Sequence, residues 1–408
     1  MTATTTQTAP AQEAGRPQPQ TTAQGPGHPF ITYAQPGIRL QYQSSGNALG
    51  GQINNPLVAV PGYIRKFRVR VNASGGSATA TAAYSNSDAP YNVFSNVQLY
   101  DAFGTPLIIA PGFEAMKLIP KYGGQHFNFS ANDPANLPSW SPLGTAAGTG
   151  TAGGGNFTFQ SALPLEFAKA VGTLSGANGS LLPRLQWTLN SSATLFGTGT
   201  ASASIVTAPT VEVDVDSEFY WLPEGVNVEP PGLGSTCQWV LQQANPTIAS
   251  AATTRVQLPR FGGYITTIIG ILRDSTGARV DAWPTRHRIY VDGVPLWDIR
   301  DDEWKDDMVN TFNMPNVGNG GSVTAGLSTQ QNATVETGVR VLSRKLSMCN
   351  NQFGLLETGE SFLSTSPGTL IEWEGAPWGN ITNTPATLNI LVGLVVPTGT
   401  LVTGLPEV

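Results

Sequence analysis

The sequence predicts a mainly β chain built as two tandem β-sandwiches, with short flanking helices and a flexible N-terminal arm. Three observations predict it. Only 12% of the 408 residues are charged, about half the usual share, while Gly (46) and Pro (31) are plentiful. Val, Ile, Thr and aromatic residues recur in runs of strand length between Gly, Pro and Asn clusters, whereas the strong helix formers Lys, Glu and Arg are scarce. Short motifs in the first half also return in the same order in the second.

Residues 1–27 hold no large apolar side chain after Met1, so ordering them would bury nothing that offsets the entropy lost. They are expected to form a flexible arm. The segments Ile38–Tyr42, Ile64–Val71, Val97–Tyr100, Phe157–Phe159, Leu185–Leu189 and Val211–Trp221 then read as strands of a first domain, 28–222. Residues 223–234 (PEGVNVEPPGLG) carry three prolines and three glycines, which strands do not tolerate, and are read as a linker. The second domain, 235–408, repeats the pattern with Val256–Leu258, Tyr264–Leu272, Arg288–Val291, Val339–Leu342, Leu370–Trp373 and Leu388–Val396.

Four pairs of motifs tie the halves together. Gly62-Tyr63-Ile64 returns as Gly263-Tyr264-Ile265, and LYDAFGTPL (Leu99 to Leu107) as IYVDGVPL (Ile289 to Leu296). Leu185-Gln186-Trp187 matches Ile371-Glu372-Trp373, and the run from Pro209 to Val213 matches that from Ala386 to Ile390. The separation between partners shrinks from 201 residues (Gly62 to Gly263) to 174 (Pro223 to Pro397), as expected if the second copy has shorter loops. Asp292-Gly293 is a hairpin-turn signal, because both residues tolerate the left-handed backbone. Phe113 to Ile119 and Arg300 to Phe312 read as helices, the second with Trp304, Met308, Val309 and Phe312 at helical spacing.

The composition excludes several function classes. A net charge of −6 gives no field to hold nucleic acid, and no specific nucleic-acid binding is expected. The one dense basic run, Arg65, Lys66, Arg68 and Arg70, reads as a solvated or subunit-facing strand surface. Cys237 and Cys349 stand alone, without metal-ligand spacing. No secretion signal and no membrane-length apolar run is evident, so the chain is expected to be made soluble in a cytoplasm. Triplets such as Asn72-Ala73-Ser74 and Asn156-Phe157-Thr158 are chance products of composition and are assigned no glycan.

The histidines His28, His126 and His287 are scattered, and neither a Gly-X-Ser-X-Gly elbow nor a phosphate-binding GxxxxGK[ST] loop occurs. The acidic group Asp298, Asp301, Asp302, Glu303, Asp306 and Asp307 offers several carboxylates but not the spacing of a calcium loop. It reads as a helix N-terminus, Asp298 to Glu303, followed by a solvated face. Glu372 and Glu374 flank Trp373 on one strand face, a distant echo of a glycosidase carboxylate pair, and read as outward residues beside a core Trp. Trp221, Trp239, Trp283, Trp297, Trp304 and Trp378 read as core or interface packing, with sugar stacking as the other use. No catalytic residue, cofactor or metal site is assigned.

A duplicated sandwich of this length, with a strand, turn, Pro-Leu and helix in each half, resembles the double jelly-roll major capsid proteins of tailless icosahedral viruses, the lineage of adenovirus hexon and tectivirus coat protein. The stretch YDAFGTPLIIAPGFEAMKLIPKYGG is similar to the bacteriophage members of that lineage. The resemblance implies two eight-stranded jelly rolls per chain and a homotrimer whose six wedges fill a six-fold position in a virion shell. It also implies partners in neighbouring capsomers and in minor or vertex proteins. Family members place a terminal segment near an internal membrane, and residues 1–27 would be that segment, although the arm is polar and lacks an amphipathic face. The competing readings are a secreted carbohydrate-binding or adhesion protein, and a β-sandwich glycosidase using Glu372 or Glu374.

Overall fold

The computed structural model describes residues 29–78, 88–123, 139–141, 155–167, 170–196, 205–230, 235–248, 253–258, 260, 262–311, 335–343, 363–375, 377–379, 381 and 385–397. The predicted arm, His28, His126 and Cys349 lie outside them.

Eight principal strands form in the first half: β1 (Gln35–Asn47), β2 (Gln52–Ile53), β3 (Tyr63–Ser74), β4 (Phe94–Tyr100), β5 (Pro106–Ala110), β6 (Asn156–Pro164), β7 (Arg184–Leu189) and β8 (Thr210–Trp221). They divide between two facing sheets, one in the order β1-β8-β3-β6 and the other β5-β4-β7-β2, with successive strands changing sheet except at the β4–β5 hairpin. The second half contributes β9 (Ser235–Ile248), β10 (Thr254–Gln257), β11 (Gly263–Arg273), β12 (Arg286–Val291), β13 (Val294–Arg300), β14 (Val339–Ser343), β15 (Ile371–Gly375) and β16 (Ala386–Pro397). Their orders are β9-β16-β11-β14 and β13-β12-β15-β10. Adding eight to every label of the first half reproduces the second.

The four motif pairs fall on equivalent elements, and the physical demand behind each can be named. Gly62 immediately precedes β3 and Gly263 opens β11, the third strands of their halves, at φ of +131° and +126°. A Cβ at Gly62 would stand 1.9 Å from the Tyr220 carbonyl oxygen of β8, and one at Gly263 would stand 2.8 Å from that of Val395 in β16. Glycine recurs because the same strand passes too close in both copies. In the β12–β13 hairpin Asp292 and Gly293 sit at φ of +51° and +80°, as the sequence predicts. In the β4–β5 turn Asp101 Oδ1 accepts the backbone N–H groups of Phe103 and Thr105 instead.

A helical segment follows the fifth strand of each half. In the first, a π-helical turn Glu114–Leu118 runs into a helix, Ile119–Tyr122; in the second, a helix covers Asp301–Thr311. Trp304 and Met308 bury on one face of the latter. Inward positions alternate as a half-buried strand demands: Phe67, Val69 and Val71 on β3, Val211, Val213 and Val215 on β8, and Leu185, Trp187 and Leu189 on β7. By contrast, β11 is buried from Ile265 to Leu272 on both faces. One face meets its own partner sheet; Trp239 from β9, two strands along in the same sheet, lies against Gly123 at the end of the first-half helix, and Arg273 reaches Glu114 of the π-helical turn before it.

Candidate assembly surfaces

Two halves that share a plan still need a rule for their mutual position, and the chain supplies it with strands and buried charges. β5 of the first half pairs in parallel with β9 of the second, Ile108 opposite Trp239 and Ile109 opposite Val240. Beside this seam lies a network of ionic side chains. Arg273 bridges Asp88 at 2.6 Å and Glu114 at 2.9 Å, and Arg279 reaches the other oxygen of Asp88 at 2.6 Å. Glu336 from the second half accepts from Lys121 at 2.6 Å and from the Tyr122 hydroxyl, both on the first-half helix, with Lys117 at 3.7 Å. Burial lowers the Lys117 ammonium to a pKa of about 8 against the pull of Glu336. Burial also pushes the Glu336 carboxyl up, but the two lysines outweigh it and hold it below its ordinary range. Glu114 is raised, because burial exceeds the attraction of Arg273. Such a network favours one docking geometry, since any slip would leave buried charges unpaired.

The acidic group is drawn into separate pairings. Asp298 lies in strand β13, not at the helix N-terminus the sequence predicts, and pairs with Arg286 and Arg288 of the adjacent strand β12. Asp301 opens the helix but turns inward, holding Arg340 at 2.7 and 2.9 Å and His287 Nε2 at 3.0 Å. Burial pushes the Asp301 carboxyl up, but His287 and Arg340 bring it well below the usual carboxylate range. Asp302 pairs with Arg300, and Asp306 and Asp307 are exposed. Among the described residues no group of three or more metal-ligating side chains assembles.

His287 was not singled out by its sequence context, yet it is the hub of the second half. The Trp373 indole N–H donates to its Nδ1 at 3.3 Å, which leaves Nε2 to carry the proton toward Asp301. Burial holds its pKa below the ordinary value. Trp373 stacks between Trp283 and Trp304, at centroid distances of 5.8 and 5.3 Å, and Arg340 lies over Trp283. Gly270 leaves room for this box; a Cβ there would meet the Trp373 ring at 2.5 Å. These tryptophans are therefore core, with no face open to a sugar.

Glu372 and Glu374 lie on the face of β15 away from Trp373, but Glu374 is buried there instead of exposed: Arg255 binds both, at 3.3 and 2.8 Å, and Arg288 reaches Glu374 at 3.1 Å. Hydrogen bonds from Arg255 and Arg288 hold the Glu374 carboxyl low, the opposite of what a general acid needs. The basic run on β3 faces an acidic row on β8. Lys66 stands opposite Glu218, Arg68 opposite Asp216 and Arg70 opposite Asp214, and Arg65 reaches Glu166 at 2.8 Å. This is a sheet surface of matched charges.

No family model and no curated protein sequence matches the chain. Solved structures do. The major capsid protein of Sulfolobus turreted icosahedral virus superposes at a TM-score of 0.52 with 12% identity, over 88% of this chain and 96% of that one. A chain in the atomic structure of the same virus gives 0.55 at 13%, over 88% and 90%. The capsid of the virus PBCV-1 gives 0.54 at 11%, over 89% and 94%. The fold is a double jelly roll. In this double jelly roll the order of the eight principal strands repeats, a helical segment follows the fifth strand of each half, and the glycine at the third strand repeats with it. Among the described residues no helix is long and apolar enough to cross a membrane.

Proposed function

We propose that this double jelly roll is a major capsid protein that acts by assembly and not by catalysis. Three chains associate into a capsomer of pseudo-hexagonal outline, and capsomers close into an icosahedral virion shell. The observation that carries the reading is one eight-strand order written twice in a single chain. Solved capsid chains superpose on it along almost their whole length. Duplication has a mechanical purpose here, because a threefold assembly of doubled units fills a six-fold position.

In this reading residues 28–222 and 235–408 are the two jelly rolls, 223–234 the linker and 1–27 an inner arm. The chain is made soluble in the host cytoplasm before assembly. Its partners are other copies of itself, minor or vertex proteins and, through the arm, an internal membrane. The low charge of the sequence suits close packing against copies, and an obligate interface exceeds about 2,000 Å², which two elongated sandwiches can supply. The glycosidase reading is less well supported, because Arg255 pairs with both Glu372 and Glu374 and hydrogen bonds from Arg255 and Arg288 hold the Glu374 carboxyl low.

The test is native mass measurement of the purified full chain with a glycan hydrolysis assay alongside. A stable species of three times 42.9 kDa with no turnover supports the proposal. A monomer that binds or cleaves glycans overturns it.

A further inference from the structure

The seam between the halves is made by the fifth strand of one jelly roll, β5, and the first strand of the next, β9. In a duplicated chain this leaves one unmatched copy of each partner, namely β13 and β1. Both stand at the edge of their sheets among the described residues, and they are the longest edge strands there. Their burial departs sharply from that of their equivalents. Leu107 and Ile108 are 1% exposed, whereas Leu296, which aligns with Leu107 in the LYDAFGTPL and IYVDGVPL motifs, is 44% exposed beside Val294 at 58%. On the other side Trp239 is 6% exposed and Ile38 is 57%.

Ile38 is the positional equivalent of Trp239 by register. Trp239 lies opposite Gly393 in β16 and Ile38 opposite Glu218 in β8. Glu218 and Gly393 occupy the same place in the two closing strands, since they pair with Lys66 of β3 and Thr267 of β11, each four residues beyond the equivalent glycines Gly62 and Gly263. The internal seam puts Ile108 opposite Trp239, and Ile108 aligns with Trp297. Long apolar edge strands are templates for pairing with another chain. Here the chain itself contains the complementary partner for each edge, already joined once in the required direction.

We propose that β13 of one chain docks in parallel alongside β1 of a second copy, Trp297 opposite Ile38, repeating between chains the β5–β9 seam made within each. The contact is head to tail, since β1 and β13 are different surfaces. It therefore propagates until it closes into a ring. The count of three chains rests on the proposed function; the identity of the paired strands does not.

The same register puts Arg39 opposite Asp298, both exposed. Opposed positions in neighbouring strands lie within the Cα separation that a disulfide spans. The test oxidises the full chain carrying Arg39→Cys and Asp298→Cys in a Cys349→Ser background and separates it on a non-reducing denaturing gel. The expected result is bands at two and three times the chain mass that neither single-cysteine variant gives. In parallel, Ile38→Arg should raise the dissociation constant of the assembly at least about 30-fold, the loss of one interface hot spot, with unchanged far-UV circular dichroism. If the wild type is a trimer, the cysteines do not join and Ile38→Arg stays trimeric, the strand assignment fails while the capsid reading stands. If the wild type remains a monomer, both fail.

Discussion

Removing Arg273 tests the idea that buried charge fixes how the two jelly rolls sit. Its guanidinium spans from the second half to Asp88 and Glu114 of the first, and the three side chains are 13%, 11% and 2% exposed. Breaking a buried pair by deleting one partner costs about 3–5 kcal/mol, because the other charge stays buried. Two features of the site reduce that figure. Asp88 keeps Arg279, and Glu114, already raised by burial, escapes by taking up a proton. The expected loss for Arg273→Leu is therefore about 3 kcal/mol at pH 8.

The pH dependence has a definite sign. A carboxyl whose folded pKa lies above its unfolded value contributes stability that is present below the unfolded pKa and lost as pH rises through the folded one. Without Arg273 the Glu114 pKa rises further, so the deficit should shrink to about half, about 1.5 kcal/mol, at pH 5. Equilibrium urea unfolding at both pH values and one fixed protein concentration reads both numbers. Adding Glu114→Gln should recover at least about 1 kcal/mol at pH 8. A loss below about 1 kcal/mol, a deficit that does not change with pH, or no recovery in the double variant would refute the assignment.

Other consequences can be checked on the same footing. Gly62→Ala should prevent soluble expression, because its Cβ would fall within 2 Å of the Tyr220 oxygen, whereas Gly75→Ala, at φ +77° in open space, should cost only about 1 kcal/mol in urea unfolding. Trp373→Ala should cost about 3–5 kcal/mol by emptying the centre of the aromatic box, read as a fall in the urea midpoint. His287 has a folded pKa below its unfolded value of 6.5, so the unfolded chain binds the extra proton and stability should fall as pH drops below 6.5. The urea midpoint of the wild type should decline between pH 7.5 and 5.5, and that of His287→Gln should change less.

What was legible in the sequence was whatever a local backbone demand imposes. Gly62 and Gly263 are readable because a positive φ beside a passing strand admits little else, and Asp292-Gly293 because a tight hairpin needs two left-handed residues. The Leu-Gln-Trp and Ile-Glu-Trp pair is readable because alternation puts its first and third residues inward on β7 and β15. The seam was not legible. Ile108 and Trp239 carry no mark that they would meet, and the ionic contacts across it join residues 159 and 215 positions apart. The sequence shows that Glu114, Arg273 and Glu336 are charged, but only the docking of two finished sandwiches decides that they are buried and paired. Asp298 was misplaced for a related reason: an acidic run before a helix looks continuous, while in the fold the strand extends to Arg300 and claims its first member.

A three-dimensional reconstruction of the purified oligomer by electron cryomicroscopy addresses the central claim most directly. The account predicts three chains around a threefold axis with six sandwiches in a ring, each joined to the next by a fifth strand lying parallel to a first strand, alternately within and between chains. A particle of any other stoichiometry, or a ring in which β1 faces solvent, would contradict it.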